Sequence, residues 1–295
     1  MITSRRYRLL ADFEPVSQFL IRHMNFKDFN GYLLQPFFEY AHTHPYFNAR
    51  LTHRFGVWED DGTIVGFTCY EMGLGECLMV NAPGYAHLRS EMLDHAEREL
   101  STLNDGQRFL NVMTTDQQGL DALLLTRGYE LHYRESITTF DYAKGFTHRP
   151  LPEGFRMISL DDDNDVRKIH ACLHQGFDHG PTPDEDVDCR WLMQSAPRFR
   201  KDLTTVIVAP DGSYACFAGM WVDLVNHYAY LEPLATVPQY RRLGLASIAL
   251  THAMQKTVAE GATLCFGGSR EFYAAMGFET VGERQFWKKT WRDAP

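Results

Sequence analysis

Apolar residues flank an Asp-Gly pair in two stretches of the chain. The stretches cover residues 55–67 and 206–219. Apolar β-formers on both sides of Asp-Gly are a strong local signal for a β-hairpin. Each stretch is therefore predicted to fold as a strand, a tight turn and a second strand.

Helical spacing of apolar residues follows each hairpin. Residues three or four positions apart share one face of a helix. Two sets have this spacing, and a glycine follows each: Leu88, Met92, Ala96 and Leu100 before Gly106, and Leu245, Ile248, Ala249 and Ala253 before Gly261. One amphipathic helix is predicted in each half of the chain.

Both halves contain the same features in the same order. After each hairpin come a further strand, a Pro-x-Tyr turn at 83–85 or 238–240, the helix, and a Gly-aromatic-Glu phrase at 128–130 or 277–279. An ordered repeat of this kind indicates a duplicated structural unit. We therefore predict an α/β protein built from two tandem copies of one domain.

The segment 144–154 separates the two copies. It has two prolines, two glycines and no periodic pattern, which is typical of a linker. The predicted domains are accordingly residues 1–143 and 155–295, and each is of ordinary domain size.

Charge and cysteine content limit the function classes. The chain has 29 Lys and Arg against 38 Asp and Glu, a formal net charge of −9, which argues against nucleic-acid binding. The six cysteines form no CxxC pair, so no metal is expected. No apolar signal segment opens the chain, and no run approaches the ~18 apolar residues of a membrane span. A cytoplasmic protein without a membrane or nucleic-acid partner is expected.

The most informative run covers residues 228–247. Its first part alternates, and Pro233 interrupts it, as happens at a bulge or where neighbouring strands separate. The sequence Arg-Arg-Leu-Gly-Leu-Ala at 241–246 then leads directly into the predicted helix. A glycine loop at a helix N-terminus presents unpaired N–H groups and a positive dipole end, so this loop suits an anion. The alternative is a plain strand, turn and helix with a solvated arginine pair.

This run resembles the acyl-CoA motif of the GNAT superfamily of acetyltransferases, Arg/Gln-x-x-Gly-x-Gly/Ala. Arg241, Gly244 and Ala246 occupy its three fixed positions. The resemblance implies two tandem GNAT-like domains, each with a mixed, mostly antiparallel central sheet flanked by helices. It also implies that the loop amides bind the CoA pyrophosphate and that the preceding strand, whose neighbours splay apart, pairs with the pantetheine arm. The expected acetyl-CoA-binding residues are Leu234, Ala235, Thr236, Val237, Arg241, Arg242, Leu243, Gly244, Leu245, Ala246 and Ser247.

A second part of the resemblance lies downstream. The segment 271–278 matches the closing GNAT phrase Tyr-x-x-x-Gly-Phe, with Tyr273 at the tyrosine that protonates the departing CoA thiolate. Core packing is the alternative role for this ring. Many relatives carry an Asn a few residues earlier, whereas 265–270 reads Cys-Phe-Gly-Gly-Ser-Arg here, so the pantetheine contacts of that Asn are not expected.

Acetylation of an amine also needs a base, because an ammonium ion is not nucleophilic. Glu232 lies on the predicted strand and shares a face with Tyr230 and Leu234 by alternation. A partly buried carboxylate at this position could take the proton directly or through water. Its Leu-Glu-Pro phrase resembles that of many bacterial GNAT members. The alternative is a glutamate that only orients or pairs with the substrate.

The first half lacks these features. Superposing the Pro-x-Tyr turns places Arg89 opposite Gly244. Superposing the closing phrases places Leu124 opposite Tyr273. A side chain at the glycine position would crowd the close approach of a phosphate. The first half is therefore predicted to be a degenerate GNAT-like domain that does not turn over acetyl-CoA.

The resemblance implies an acetyl-CoA-dependent N-acetyltransferase that acts by direct attack of a primary amine, since no suitable cysteine lies on the motif strand. The negative charge favours a small, cationic acceptor. A non-catalytic acyl-CoA sensor or interaction protein of the same fold is the main alternative, and a longer acyl chain or a hydroxyl acceptor is a further one. Acetyl-CoA and the acceptor are the expected partners, and the chain is expected to be a monomer or a homodimer.

Overall fold

A computed structural model of the protein describes residues 1–292. Its strands are β1 (Ile2–Arg6), β2 (Gly56–Asp60), β3 (Thr63–Cys69), β4 (Glu76–Asn81), β5 (Thr102–Asn104), β6 (Gln107–Thr115), β7 (Glu130–Asp141), β8 (Arg156–Ile158), β9 (Thr205–Val208), β10 (Tyr214–Asp223), β11 (Tyr228–Thr236), β12 (Leu264–Gly267) and β13 (Glu279–Trp291). Its α-helices are α1 (Leu9–His23), α2 (Gln35–His42), α3 (Arg89–Glu99), α4 (Asp121–Thr126), α5 (Val166–Gly176), α6 (Asp188–Gln194), α7 (Leu245–Ala259) and α8 (Glu271–Ala275). Short 3-10 helices span Phe29–Tyr32, Ala49–Arg54, Ala86–Leu88, Tyr142–Lys144 and Pro238–Tyr240. Within residues 1–292, no helix is both long enough and apolar enough to cross a membrane.

The chain divides into two compact units. Unit 1 comprises Met1–His42, Tyr46–Ile137 and, among the described residues, 280–292. Unit 2 comprises Thr43–Pro45 and Thr138–Glu279. Both contain a mixed, mostly antiparallel sheet with helices packed on it, which confirms the predicted fold class.

The sheet of unit 1 has the strand order β1, β2, β3, β4, β6 and β13. Neighbours are antiparallel except for β4 and β6, which run parallel. The first predicted hairpin is β2 and β3, and its turn residues Asp61 and Gly62 have φ values of 47° and 78°. A turn with two positive φ values matches the right-handed twist of the strands it joins.

The sheet of unit 2 repeats this arrangement with the order β8, β9, β10, β11 and β12, followed by residues 138–141 of β7. The second predicted hairpin is β9 and β10, and β11 and β12 form the parallel pair. Both units therefore have the same strand order and the same position for the parallel pair, as two copies of one domain would.

The ends of the units differ from the predicted bounds. β13, from the end of the second half, pairs antiparallel with β6 of unit 1, and the end of β7, from the first half, pairs with β12 of unit 2. The predicted linker at 144–154 belongs to unit 2, where Phe146 stacks on Phe140 with ring centroids 5.7 Å apart. A sequence pattern specifies a strand, but it does not specify which of two similar sheet edges that strand joins.

The helix predicted from residue 245 is confirmed as α7. All four residues of its predicted apolar face are buried, and α7 packs on β10, which is itself almost entirely buried. The corresponding set in the first half is also buried, around α3. The packing of α7 on the sheet holds its N-terminus close to the end of β11, where the predicted motif lies.

Candidate active site

β11 and β12 separate in the middle of unit 2. Their parallel ladder ends at Tyr230 and Phe266, whereas β10 stays paired with β11 as far as Thr236. The stretch of β11 after Tyr230 consequently has one edge without a strand partner. An extended amide chain can bind such an edge through main-chain hydrogen bonds. This is the separation that the GNAT resemblance implies.

A β-bulge that contains Glu232 lies in this stretch of β11. The register between β10 and β11 shifts at this point, next to Gly219. A Cβ at Gly219 would lie 2.7 Å from the Glu232 carbonyl oxygen, so the close approach of the two strands requires a glycine. Trp221 Nε1 donates to the same oxygen at 2.9 Å. Bulges re-aim side chains next to active sites, and this one fixes the backbone of a half-buried glutamate.

The loop at the end of β11 leads into α7 through Gly244. This residue has φ of 79°, a left-handed conformation that is strained for other residues, and it forms the N-cap of α7. The backbone N–H groups of residues 244–247 have no acceptor among the described residues. Ser247 Oγ donates to the Gly244 carbonyl oxygen at 2.7 Å and does not accept a hydrogen bond from these N–H groups. The helix end is therefore free to bind an anion.

A cavity of about 360 Å³ opens at this helix end. The predicted donor-site residues that line it are Thr236, Arg241, Arg242, Gly244, Leu245, Ala246 and Ser247. The rest of its lining is Arg149, Tyr240, Phe272, Ala275 and Met276. The other predicted site residues do not line this cavity: Glu232, Leu234, Ala235, Val237, Leu243 and Tyr273. The structure thus brings the motif loop together with one face of α8.

The side chain of Arg241 is engaged within unit 2. Its Nη2 donates to the Gly176 carbonyl oxygen at 3.0 Å and to Asp178 Oδ1 at 2.8 Å, and its Nε donates to the Thr236 carbonyl oxygen at 3.1 Å. Arg241 therefore ties the motif loop to the C-terminal end of α5. Arg242 is exposed, and with Arg149 it supplies positive charge at the cavity.

Arg149 is a cavity residue that the sequence interpretation missed. It lies in the predicted linker, where no periodic pattern points to a folded segment. His148 is within 3.1 Å of Gln255 on α7, and Leu151 packs on the core of unit 2, so the segment is held against this unit. The apolar residues at 146 and 151 were the available signal.

Tyr273 lies on α8 and packs over the end of β12. A Cβ at Gly268 would lie 2.5 Å from the Tyr273 ring, so the two glycines after Phe266 leave the space that the ring occupies. Phe272 and Phe278 contact it edge-on, with centroids 5.2 Å and 5.4 Å away. The Gly-Gly pair that replaces the expected Asn region therefore accommodates the tyrosine, which stays half-buried.

The other predicted donor-site residues differ in side-chain exposure. The side chains of Ala235 and Val237 are buried, Leu234 is half-buried and Leu243 is exposed. Val237 also lines a second cavity of about 520 Å³, together with residues of the segment that follows α5.

Cys216 is a thiol that contacts the motif strand. Thr236 Oγ1 donates to its sulfur at 3.3 Å, and burial raises the pKa of Cys216 to about 12. Because the thiolate is the nucleophilic form, this cysteine is unreactive at neutral pH.

The corresponding cleft of unit 1 is filled by side chains. Gln118 Nε2 donates to the Met79 carbonyl oxygen at 2.6 Å. Arg89 Nε donates to Asn81 Oδ1 at 2.8 Å, and its Nη1 donates to the Gly119 carbonyl oxygen at 3.2 Å. Side chains therefore bridge β4 and the chain after β6 in unit 1, where unit 2 leaves an open edge.

The comparison with known families agrees with the geometry. Residues 164–278, from the start of α5 to the Gly-Phe phrase, match the Acetyltransferase (GNAT) family. These residues belong to the GNAT family. The predicted GNAT identity is thereby confirmed for the part of the chain that holds the open cleft.

Solved structures extend the likeness to the whole chain, at low sequence identity. A GCN5-related N-acetyltransferase from Sphaerobacter thermophilus is 13% identical, with 100% of this chain and 97% of that chain covered and a TM-score of 0.62. A tandem GNAT protein from the clavulanic acid biosynthesis pathway is 12% identical, with 100% of both chains covered and a TM-score of 0.61. N-myristoyltransferase of Saccharomyces cerevisiae with bound myristoyl-CoA is 10% identical, with 100% and 79% covered and a TM-score of 0.57. No curated protein matches the chain significantly.

These likenesses confirm the tandem GNAT fold, and the match of residues 164–278 to the family supports an acyltransferase that uses an acyl-CoA donor. The fold alone does not fix the acyl group, because one of the similar structures holds myristoyl-CoA.

Proposed function

We propose that the protein is an N-acetyltransferase whose unit 2 moves an acetyl group from acetyl-CoA to the primary amine of a small, cationic acceptor. The observation that carries this proposal is the N-terminus of α7, where the N–H groups of residues 244–247 have no acceptor and line a cavity. The pyrophosphate of CoA is the kind of group that such a helix end binds.

The rest of the donor has matching positions along the motif. The pantetheine arm would follow the free edge of β11 after Tyr230, with the thioester close to the bulge at Glu232. The guanidinium groups of Arg149 and Arg242 would bind CoA phosphate oxygens, for which arginine is well suited.

The chemistry assigned to this site is direct acyl transfer. The amine nitrogen attacks the thioester carbonyl carbon, and Glu232 accepts the proton that the nitrogen loses. The C–S bond then breaks, and Tyr273 donates its phenolic proton to the departing CoA sulfur. The buried, protonated Cys216 supports a path without an acyl-cysteine intermediate.

The acceptor is proposed to bind beside Glu232, where the thioester would lie. The net charge of −9 supports a cationic acceptor. All six cysteines are free, which supports the cytoplasm as the compartment of this activity.

The test is an acetyl-transfer assay on the untagged full chain. Acetyl-CoA is incubated with a panel of polyamines, amino sugars and amino acids, and release of the CoA thiol is measured together with the product mass. Matched alcohols in place of the amines, and butyryl-CoA and myristoyl-CoA in place of acetyl-CoA, test the acceptor atom and the acyl group. We expect turnover with acetyl-CoA and at least one amine.

Tight CoA binding without turnover across the panel, unchanged by Glu232→Gln or Tyr273→Phe, would instead identify a non-catalytic acyl-CoA sensor. Faster turnover with a longer acyl-CoA or with an alcohol would correct the donor or the acceptor while leaving the site in place.

A further inference from the structure

Three side chains with metal-ligating atoms converge in unit 2, away from the acyl-CoA motif. His170 and His174 lie four positions apart on α5 and so project from one face of the helix. Asp184 lies in the segment between α5 and α6. One ligand atom of each residue lies within 4.8 Å of the ligand atoms of the other two.

Both histidines present a buried Nε2 atom. Within residues 1–292 neither Nε2 atom makes an aligned hydrogen bond, although Asp184 Oδ1 lies 3.3 Å from His170 Nε2, within ion-pair distance. His170 as a whole is 6% exposed. Buried polar atoms without partners are unfavourable, so this pair of nitrogens is an unusual arrangement unless a further group binds them.

The second nitrogen of His170 has a partner that orients the ring. Cys189 Sγ lies 3.8 Å from His170 Nδ1. A proton on Nδ1 would donate to this sulfur and leave the lone pair of Nε2 for a metal ion. Metal-binding histidines commonly have such a second hydrogen bond, which fixes the ring and its tautomer.

The chemistry of the three side chains also suits a metal. Two imidazoles and one carboxylate are ligands that zinc accepts. In a tetrahedral zinc site with bonds of about 2.1 Å, two ligand atoms lie about 3.4 Å apart, close to the 3.3 Å between His170 and Asp184.

We propose that His170, His174 and Asp184 bind one Zn²⁺ ion, with water completing its coordination. The cysteine spacing that led to the expectation of no metal does not bear on this site, because its ligands are histidines on one helix and a carboxylate on the next segment.

The proposed ion would tie the segment after α5 to that helix. Asp178, Gly180 and Pro181 of the same segment line the cavity of about 520 Å³, and Asp178 also binds Arg241 of the motif loop. Zinc would therefore stabilise one wall of this cavity rather than take part in acyl transfer. The proposal does not depend on the proposed function.

The test is a titration of the untagged full chain with Zn²⁺ after chelator treatment and desalting, followed by isothermal calorimetry, with no acyl donor or acceptor present. Visible absorption of Co²⁺ in the same preparation reports ligand number and geometry. We expect one ion per chain, and slower proteolysis within residues 177–187 when the ion is bound.

His174→Gln and Asp184→Asn should each weaken Zn²⁺ binding at least about tenfold, since even residues outside the ligand shell contribute that much. Asp184 is largely exposed, so its variant is expected to fold, and circular dichroism of both variants checks this. The matched control is His227→Gln, because His227 belongs to the same unit and contacts Gly261 instead. The proposal is overturned by the absence of stoichiometric binding, by unchanged affinity in folded His174→Gln and Asp184→Asn, or by an equal loss in the control.

Discussion

The two units have the same strand order but differ in the state of the cleft beside the parallel strand pair. In unit 2 this cleft is open along β11, and the N-terminus of α7 has unpaired N–H groups. In unit 1 the corresponding helix is preceded by a 3-10 turn, in which the N–H groups of Leu88 and Arg89 are bonded to Tyr85 and Ala86. Arg89 and Gln118 then bridge the cleft itself.

The difference shows how a site can be lost without loss of the fold. The bridging groups of unit 1 are ordinary polar side chains that satisfy the same backbone edge that a pantetheine arm would use. A cavity of about 240 Å³ does remain in unit 1 near Arg89, but Asp28 is part of its lining and opposes an anion. We propose that unit 1 stabilises the protein and does not bind CoA.

The largest expected effect tests the chemistry assigned to unit 2. We expect Glu232→Gln to lower kcat by about 10²–10⁴-fold, because it removes the proposed general base. The dissociation constant of acetyl-CoA should not change. Steady-state kinetics and calorimetry measure the two quantities.

The matched control is Glu76→Gln, a glutamate on the corresponding strand of unit 1. Full activity of Glu232→Gln, or an equal loss of activity in both variants, would show that Glu232 is not the general base.

The next effect tests donor binding by comparing one glycine in each unit. Gly244 and Gly84 have φ values of 79° and 87°, so valine is strained at both positions. Gly244→Val should weaken CoA binding by about 100-fold, comparable to the loss of two hydrogen bonds to a charged group. Gly84→Val should leave the CoA affinity unchanged. A weaker CoA affinity in Gly84→Val would show that unit 1 participates in binding.

A smaller effect tests the closed cleft of unit 1. Arg89→Ala removes hydrogen bonds to Asn81 and Gly119, so the free energy of unfolding should fall by about 1–3 kcal/mol, measured by urea denaturation. The exposed Arg22 of α1 provides the control variant Arg22→Ala, for which little change is expected. Calorimetry should still give one CoA per chain in Arg89→Ala. Two CoA molecules per chain would contradict the comparison between the units.

The smallest effect concerns segment 144–154, which the sequence pattern predicts to be a linker. Arg149→Ala should raise the dissociation constant of CoA by about two- to fivefold at low salt and less at high salt, because the arginine is exposed and its charge is screened. Arg156→Ala removes an exposed charge of the same unit that is outside the cavity lining and is the control. Equal effects in the two variants would show that net charge, and not the position of Arg149, controls affinity.

Local patterns were sufficient to predict the hairpins, α7 and the fold class. These features depend on neighbours in sequence: alternation, helical spacing, and the turn residues at 61–62. The position of the motif loop at the helix N-terminus follows for the same reason. The left-handed conformation of Gly244 at the N-cap of α7 was not predicted and comes from the structure.

The other features of the site depend on contacts between residues that are distant in the chain. A single sequence has no local pattern that predicts such contacts. Arg241 binds Gly176 and Asp178, far away in the chain, so the direction of its side chain was not predictable. Gln118 fills the cleft of unit 1 through a carbonyl oxygen on another strand, and no motif marks it. The roles of Glu232 and Tyr273 stay predictions that the assays above test.

The exchange of closing strands between the two halves of the chain has a consequence for biosynthesis. The ribosome makes most of unit 1 before unit 2, yet β13, which pairs with β6 of unit 1, emerges only after unit 2. Until then one edge of β6 in the nascent chain has no partner, and an unpaired strand edge is a site for mispairing and aggregation. Unit 2 is made second but finds its closing strand, residues 138–141, already synthesised. The half that is translated first is thus the half that is finished last.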